Sequence, residues 1–600
     1  MRTKLITIFT IFTFLISFIS CEQNEDALPE SGKKVPAGTY ILSLIETTDI
    51  HGYLVNTSEE TVHYKLAYIA DKVKDIRGRG EAYSKEKMLL LDGGDIYQGT
   101  TVSNLQRGKP LYIAFDKMDY DAVAVGNHEF DWGFENMVEA DGTLPAYELD
   151  GQLYTNPVPV ICANLFQNGS RITNKKDYVI VEKNAVNENG HSVTVKIGII
   201  GFAEDWASSV MTAQFTGKGY EIKENYSIAK NIAVELEASG KCDATILLVH
   251  GAADTAVNKI GNDSVIDLVL GGHTHVNLSS EDGLMPSYLQ SESYGEAYAY
   301  AELSFYVDDD GNVSFANISK NETIPVDKTK DTYTFAGENA EDLDEEILKL
   351  SDVAIENVRP LLEDVIGYIT VDATNNYPDT SLSIKGSDGR ASVMANWMCD
   401  IIREIGNADI AFVNSGGVRT SITLDGSAKK NITVSDVYEI FPFDNRIYVY
   451  DITYEELLSV FEYAMTSSGK GLISRVTGID CYFTKEKKLS VSGKTYTAYA
   501  VKSLSKDGVQ IFADGKWADT WKDRKVSVAL SEYPATTDRQ SYSDPHNPFV
   551  AWNETEKLVQ DSLIDNENAI KVLKKEAAEN AGVLTIDTRP HFILYEDISK

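Results

Sequence analysis

The sequence predicts an α/β protein of two domains, the larger joined by a helix to the smaller. Three observations carry this. From Tyr40 onward short apolar runs recur, and each stops at a polar cluster; continuous runs of that length read as strands buried on both faces. Between several of them lie stretches with apolar residues at three- and four-residue spacing, the alternation of an α/β sheet with covered faces. The chain, at 600 residues, also exceeds what one ordinary core serves.

The elements follow in order. Arg2 and Lys4 precede an apolar run over residues 5–19. The run is short for a bilayer span and matches the basic-then-apolar pattern of an export signal. With Ser20 before Cys21 it resembles a bacterial lipoprotein signal over residues 1–21, Phe18 standing where leucine is preferred. The resemblance implies an exported protein lipidated at Cys21 and anchored to a membrane, on the periplasmic or cell-surface face of an outer membrane. A secretory signal with an incidental cysteine is the alternative. Residues 22–38 are polar, begin acidic, and read as a tether.

Residues 39–325 form the first domain. Its strand candidates are "YILSLIE", "MLLL", "DAVAV", "PVPVICA", "VKIGIIG", "ATILLV" and "IDLVL", with helices expected over 64–76 and 227–236. Alternation over 298–318 fits antiparallel strands. A polar, acidic segment, 320–341, leads into the linker, residues 326–363. There Leu343, Ile347, Leu350, Ala354, Val358 and Leu361 predict an amphipathic helix stopped near Pro360. Residues 364–600 form the second domain, with a helix near 391–405 and strands near 409–413, 447–452 and 526–530.

Composition narrows the function. Hydrophobic residues at 43% exclude a largely disordered chain. A formal charge of −36 opposes polymeric nucleic acid as partner. A small anion remains open if metals or arginines concentrate positive charge locally. Cys162, Cys242, Cys399 and Cys481 contain no C-x-x-C pair, which argues against a thiolate metal site. Buried thiols are the default, although an exported protein could pair two of them.

The informative pattern is what ends the strands. "LIETTDIHG" ends one with Asp49 and His51, "LLLDGGDIYQG" one with Asp95, and "DAVAVGNHEFDWG" one with Asn127, His128, Glu129 and Asp131. "ILLVHG" ends one with His250, and "LVLGGHTH" one with His273 and His275. Ligands collect beyond the carboxyl ends of strands in open α/β sheets. Five of the nine histidines lie at such ends. Imidazole, carboxylate and amide without thiolate suit Zn, Mn, Fe or Co. The donors suffice for two divalent metal ions, and two ions serve an in-line phosphoryl displacement.

"TDIHG", "GGDIYQG", "GNHEFDWG", "VHG" and "GGHTH", in this order, resemble the calcineurin-like metallophosphoesterases. The resemblance implies a β-sandwich flanked by helices. It also implies roles: Asp49, His51, Asp95 and His275 hold one metal; Asp95, Asn127, His250 and His273 hold the other, with Asp95 as bridge. Many relatives carry Gln or Asn where this chain has His275. His128 would then face the substrate and protonate the departing alkoxide, held by Asp131. Glu129 is expected to make supporting contacts instead.

In the second domain "KGSDGRASVMANWMCD", "AFVNSGGVRT", "IFPFDNRIYVYDITYEEL" and "VALSEYPATTD" resemble the C-terminal substrate domain of the 5′-nucleotidases. That family also covers 2′,3′-cyclic-nucleotide phosphodiesterases and UDP-sugar hydrolases. The resemblance places Arg390, Asn414, Arg419, Phe443, Asn445, Tyr533 and Asp538 around substrate. Arginine forks match phosphate oxygens, and Phe443 with Tyr533 would sandwich a base. Asp538 stands one residue nearer the aromatic than the family acid, and Gly386 replaces an arginine of some relatives. The implied activity is two-metal hydrolysis of nucleotide phosphate esters, first of all 5′-nucleotidase. Alternatives are a 2′,3′-cyclic-nucleotide 2′-phosphodiesterase with 3′-nucleotidase activity, a UDP-sugar hydrolase, and an inactive nucleotide-binding lipoprotein.

Overall fold

The structure, a computed structural model, describes residues 35–55, 62–149, 152–172, 176–204, 215–261, 265–281, 284, 286–332, 342–374, 392–414, 417–418, 420–442, 445–465, 472–473, 475–489, 495–536, 547–553, 555–589 and 591–594. Strand Gly38–Thr47 is the hub of the first domain. It runs parallel to Met88–Asp92, which pairs with Ala122–Ala124, and antiparallel to Ala297–Val307 on its other edge. A second set, Ser192–Ala203, Ala244–His250 and Leu268–Leu270, is also parallel. The sets are linked through Tyr178–Val186, which lies antiparallel to Ser192–Ala203 and meets the hub at one pair, Ile41 and Val186.

This link lets the strands form two layers. Leu42, Leu44, Leu89 and Leu91 of the first set and Ile197, Ile199, Ile246 and Leu248 of the second fill one apolar layer. Each such side chain fully buried contributes about 1.5–3 kcal/mol. Period-two alternation turns Ile45, between Leu44 and Glu46, to the opposite face. There it joins the cluster under helix Lys65–Arg77 and helix Lys109–Lys117. Helices Ser227–Ala238 and Ala253–Ile260 cover the outer face of the second layer. The sandwich expected from the sequence is therefore the architecture found.

One boundary differs from expectation. The polar segment expected from 320 begins inside a strand: Val313–Pro325 pairs antiparallel with Ala297–Val307 to its end. An edge strand with a solvated face tolerates that polarity. The linker helix, Glu345–Leu362, ends two residues past Pro360, near the expected stop. A proline in the last turn removes a donor only where the ladder is ending, so the cost is small. Asp344 caps the start, its side chain accepting from the Ile347 N–H at 3.0 Å.

The second domain is built on the strands Arg475–Thr477, Ile410–Val413, Lys525–Ser531, Arg446–Thr453 and Leu558–Ile564, in that order. Helices Val393–Ile405 and Asp565–Glu579 pack one face and Tyr454–Ala464 the other. Reciprocal capping boxes, Thr433 with Asp436 and Thr453 with Glu456, start two of its helices. A further sheet of Asp480–Leu489, Thr495–Lys506 and Val509–Ala513 was not anticipated from the sequence. Among the described residues no helix is long and apolar enough to cross a membrane.

Candidate active site

Parallel pairing sends the strands of both layers toward the same edge with their carboxyl ends. The chain leaves each end sharply. Asp49, His51, Asp95, His273 and His275 all have positive φ, between 48° and 68°. Short polar residues tolerate this conformation better than most, yet each is strained. Side chains from five strand ends thereby converge on one point. The turns also press backbones together: a Cβ on Gly126 would stand 2.2 Å from Asp95 Oδ1, so only glycine fits there.

Two donor clusters result, joined among the described residues by a third group, His51, Asp95 and His128. Asp49, His51 and His275 offer ligand atoms within 4.8 Å of one another, and so do Asp95, His250 and His273. His51 and Asp95 connect them, with His51 Nε2 3.9 Å from Asp95 Oδ2. Asp95 Oδ2 is also 3.2 Å from His250 Nε2. Asn127 Oδ1 lies 3.2 Å from His250 Nε2 and 2.9 Å from His273 Nδ1. All seven residues expected to hold metal are thus together.

The donor set fits a pair of divalent cations. Asp49 Oδ1 is buried and makes no regular hydrogen bond. His51 Nε2 and His275 Nε2 face each other at 3.2 Å, a separation that a shared cation would explain better than two lone pairs. His51 Nδ1 meets the Gln98 carbonyl at 2.9 Å and His250 Nδ1 the Gly93 carbonyl at 2.8 Å. Such contacts fix the tautomer and leave Nε2 for metal. Burial, helped by the neighbouring His128, holds His51 down to about 4, and burial with His250 does the same to His273. Both are therefore neutral, as ligands must be. Against burial, Asp95 pushes His250 up to about 9; the bridge carboxylate attracts positive charge into that position.

His128 begins a short turn, His128–Phe130, just beyond Asn127. Its Nδ1 meets Asp131 Oδ2 at 2.7 Å, and its ring centroid is 5.0 Å from that of His51. Burial disfavours the imidazolium, but Asp131 and Asp95 push His128 up to about 10. Glu129 turns away from the cluster's mouth and is buried. Its carboxylate accepts from the backbone N–H groups of Asp95 and Ile96 at 2.9 Å and of Gly126 at 2.7 Å. It therefore ties two ligand-bearing loops together.

Sequence reading missed several neighbours. The Thr48 hydroxyl donates to Asp49 Oδ2 at 2.7 Å. Tyr294, at φ 61°, places its ring 5.4 Å from His51 and 5.2 Å from His275. It lies four residues beyond strand Ser287–Gln290, a run not among the strand candidates of the sequence.

On the substrate side, Asn414 is buried just beyond strand Ile410–Val413, its carbonyl accepting from the Gly417 N–H at 3.2 Å. Asn445 is half-buried before strand Arg446–Thr453. Tyr533 is 48% exposed on the short helix Glu532–Thr536. Cys21, Arg390, Arg419, Phe443 and Asp538 lie outside the described residues. The four remaining cysteines are free thiols, Cys162, Cys399 and Cys481 buried and Cys242 partly so.

A calcineurin-like phosphoesterase family model matches residues 42–277, and a model of the 5′-nucleotidase C-terminal domain matches residues 365–518. A snake venom 5′-nucleotidase from Crotalus adamanteus is 24% identical over 497 residues, covering 76% of this chain and 75% of that one. The trifunctional nucleotide phosphoesterase protein YfkN of Bacillus subtilis is 23% identical, covering 82% of this chain and 32% of that one. The crystal structure of a 5′-nucleotidase precursor from Thermus thermophilus shares the fold, with a TM-score of 0.56 at 19% identity over 92% of this chain and 99% of that one.

Proposed function

We propose, for a chain that belongs to the calcineurin-like metallophosphoesterases bearing a 5′-nucleotidase C-terminal domain, that its substrates are nucleoside 5′-monophosphates. The chain is a metal-dependent phosphoric ester hydrolase of a family that uses two divalent ions. Asp49, His51, Asp95 and His275 would hold one ion, and Asp95, Asn127, His250 and His273 the other. Bound there, the ions supply positive charge to the attacking and leaving oxygens of an in-line displacement.

The chain's own residues do the rest. The placement of His128 carries the reading: its Nδ1 lies 2.7 Å from Asp131 Oδ2 beside Asp95, so that Nε2 points away from its holder. The imidazole would steady the transferring phosphoryl group and give its proton to the departing alkoxide. Asp131 keeps the ring oriented and its charge in place. Arg390 and Arg419 would hold phosphate and ribose oxygens, with Asn414, Asn445 and Asp538 as further polar contacts. Phe443 and Tyr533 would stack the base.

Phosphate release by protein lacking residues 1–21, supplied with Mn²⁺ or Zn²⁺, tests this against 5′-AMP, 3′-AMP, 2′,3′-cyclic AMP and UDP-glucose. Preference for 5′-AMP that collapses in H128A supports it. Preference for the cyclic or 3′ substrate moves the chain to the phosphodiesterase reading. Turnover of UDP-glucose alone selects the sugar-nucleotide reading. Nucleoside binding without turnover of any substrate leaves a binding protein.

We also infer an exported, lipid-anchored protein, from Arg2 and Lys4, the apolar run 5–19 and Cys21. Incorporation of labelled palmitate that C21S abolishes would support the anchor; unlabelled soluble protein would count against it.

A further inference from the structure

The loop after Asp95 reaches across to the second domain. Gln98 Nε2 donates to the Pro442 carbonyl at 3.4 Å. Leu105 packs against the apolar clusters of both domains. Gln106 Nε2 donates to the Ala354 carbonyl of the linker helix at 3.1 Å. Arg107, at φ 51°, ends this stretch. Its Nη2 lies 2.8 Å from Glu567 Oε1, and its guanidinium carbon sits 5.3 Å above the Trp132 ring.

Both ends of that contact matter. Trp132 follows Asp131, the holder of His128. Glu567 lies in the first turn of helix Asp565–Glu579. That same turn grips the residues around position 443. The Asp565 N–H donates to the Asn445 carbonyl at 2.7 Å, and Asn566 Nδ2 donates to the Phe441 carbonyl at 3.3 Å. Asp565 and Asn566 are buried. A continuous set of contacts therefore runs from the His128–Asp131 loop through Trp132, Arg107 and Glu567 to Phe441 and Asn445.

We propose that Arg107 is a positioning residue that holds Phe441 and Asn445 of the second domain in register with the His128 loop, through Glu567 on one side and Trp132 on the other. The inference rests on the nucleotide reading above, because a loop that recognises the nucleoside matters only for a substrate that carries one. Arg107 and Glu567 are both about half exposed. An exposed ion pair contributes little to fold stability, so its loss leaves the scaffold intact while removing one of the contacts, beside Gln98–Pro442 and Leu105, that tie the two loops together.

The experiment measures kcat and KM of the Mn²⁺-loaded protein for 5′-AMP and for glycerol 2-phosphate, which has no base. Wild type, R107E, E567R and the double variant R107E/E567R are compared, with metal content and melting temperature recorded for each. R107E and E567R should each raise KM for 5′-AMP about three- to tenfold, through a lost pair and a new like-charge contact. Kinetics with glycerol 2-phosphate should stay within about twofold, as one would expect if only recognition of the nucleoside is disturbed. The double variant should recover most of the 5′-AMP KM, since it restores the pair in reverse. Equal losses on both substrates, single variants that leave KM for 5′-AMP unchanged, or a double variant no better than the singles would each overturn the role. A wild type that does not prefer 5′-AMP overturns the nucleotide reading, and the role of Arg107 with it. A wild type that does, with single variants whose KM for 5′-AMP is unchanged, overturns the role of Arg107 alone.

Discussion

The two donor clusters use the same chemistry and are built differently. Each cluster has two buried members and one partly exposed imidazole, His273 in one and His275 in the other, and in the first the Asn127 amide oxygen reaches both imidazoles. Asp49, His51 and His275 have no amide among them, and the His275 side chain is 33% exposed. Asp49 Oδ1 has no regular hydrogen bond, and two imidazole nitrogens face each other. Protein contacts hold both clusters, the second through Thr48 and the Gln98 carbonyl. The second lacks an amide donor and has the more open imidazole, so its ion should be the more exchangeable.

The largest effect should come from the residue the clusters share. D95A is expected to lose both ions and at least about 10³ in rate, since the pair supplies several kcal/mol of charge stabilisation. Metal analysis checks it, and one tightly bound equivalent in D95A would break the idea of a common bridge. H128A separates chemistry from metal binding: turnover should fall by roughly 10²–10⁴-fold with two equivalents still bound. Loss of metal in H128A would mean that this imidazole belongs to a cluster instead.

Stepwise chelation sharpens the contrast itself. Wild type should release one equivalent well before the second. H275A should lose the early one, weakened at least about 10-fold, while H250A should lose the late one. Simultaneous release in wild type would make the clusters equivalent. The smallest effect is expected of E129Q, which replaces a carboxylate accepting three backbone N–H bonds. Its cost of about 2 kcal/mol should lower the melting temperature by roughly 4–8 °C, with bound metal little changed.

The donors were legible because the rule that exposes them is local: a buried apolar run that ends in His, Asp or Asn has a reason to do so. The layers were legible for the same cause, since the runs are continuous. What escaped was written in long-range pairing. Arg107 and Glu567 are 460 residues apart, and no periodicity links them. The sheet of Asp480–Leu489 and Thr495–Lys506 is spelled with lysine and threonine on strands that need only one apolar face.

The left-handed backbone at Asp49, His51, Asp95, His273 and His275 has a consequence for how this chain can change. At about 1 kcal/mol each, five such residues together cost an appreciable fraction of the 5–15 kcal/mol that typically holds a domain folded. Glycine at any of them would relieve strain while removing a donor. A descendant released from the need for activity could therefore gain thermal stability by losing these residues first. Selection for turnover and selection for endurance pull on the same five positions in opposite directions.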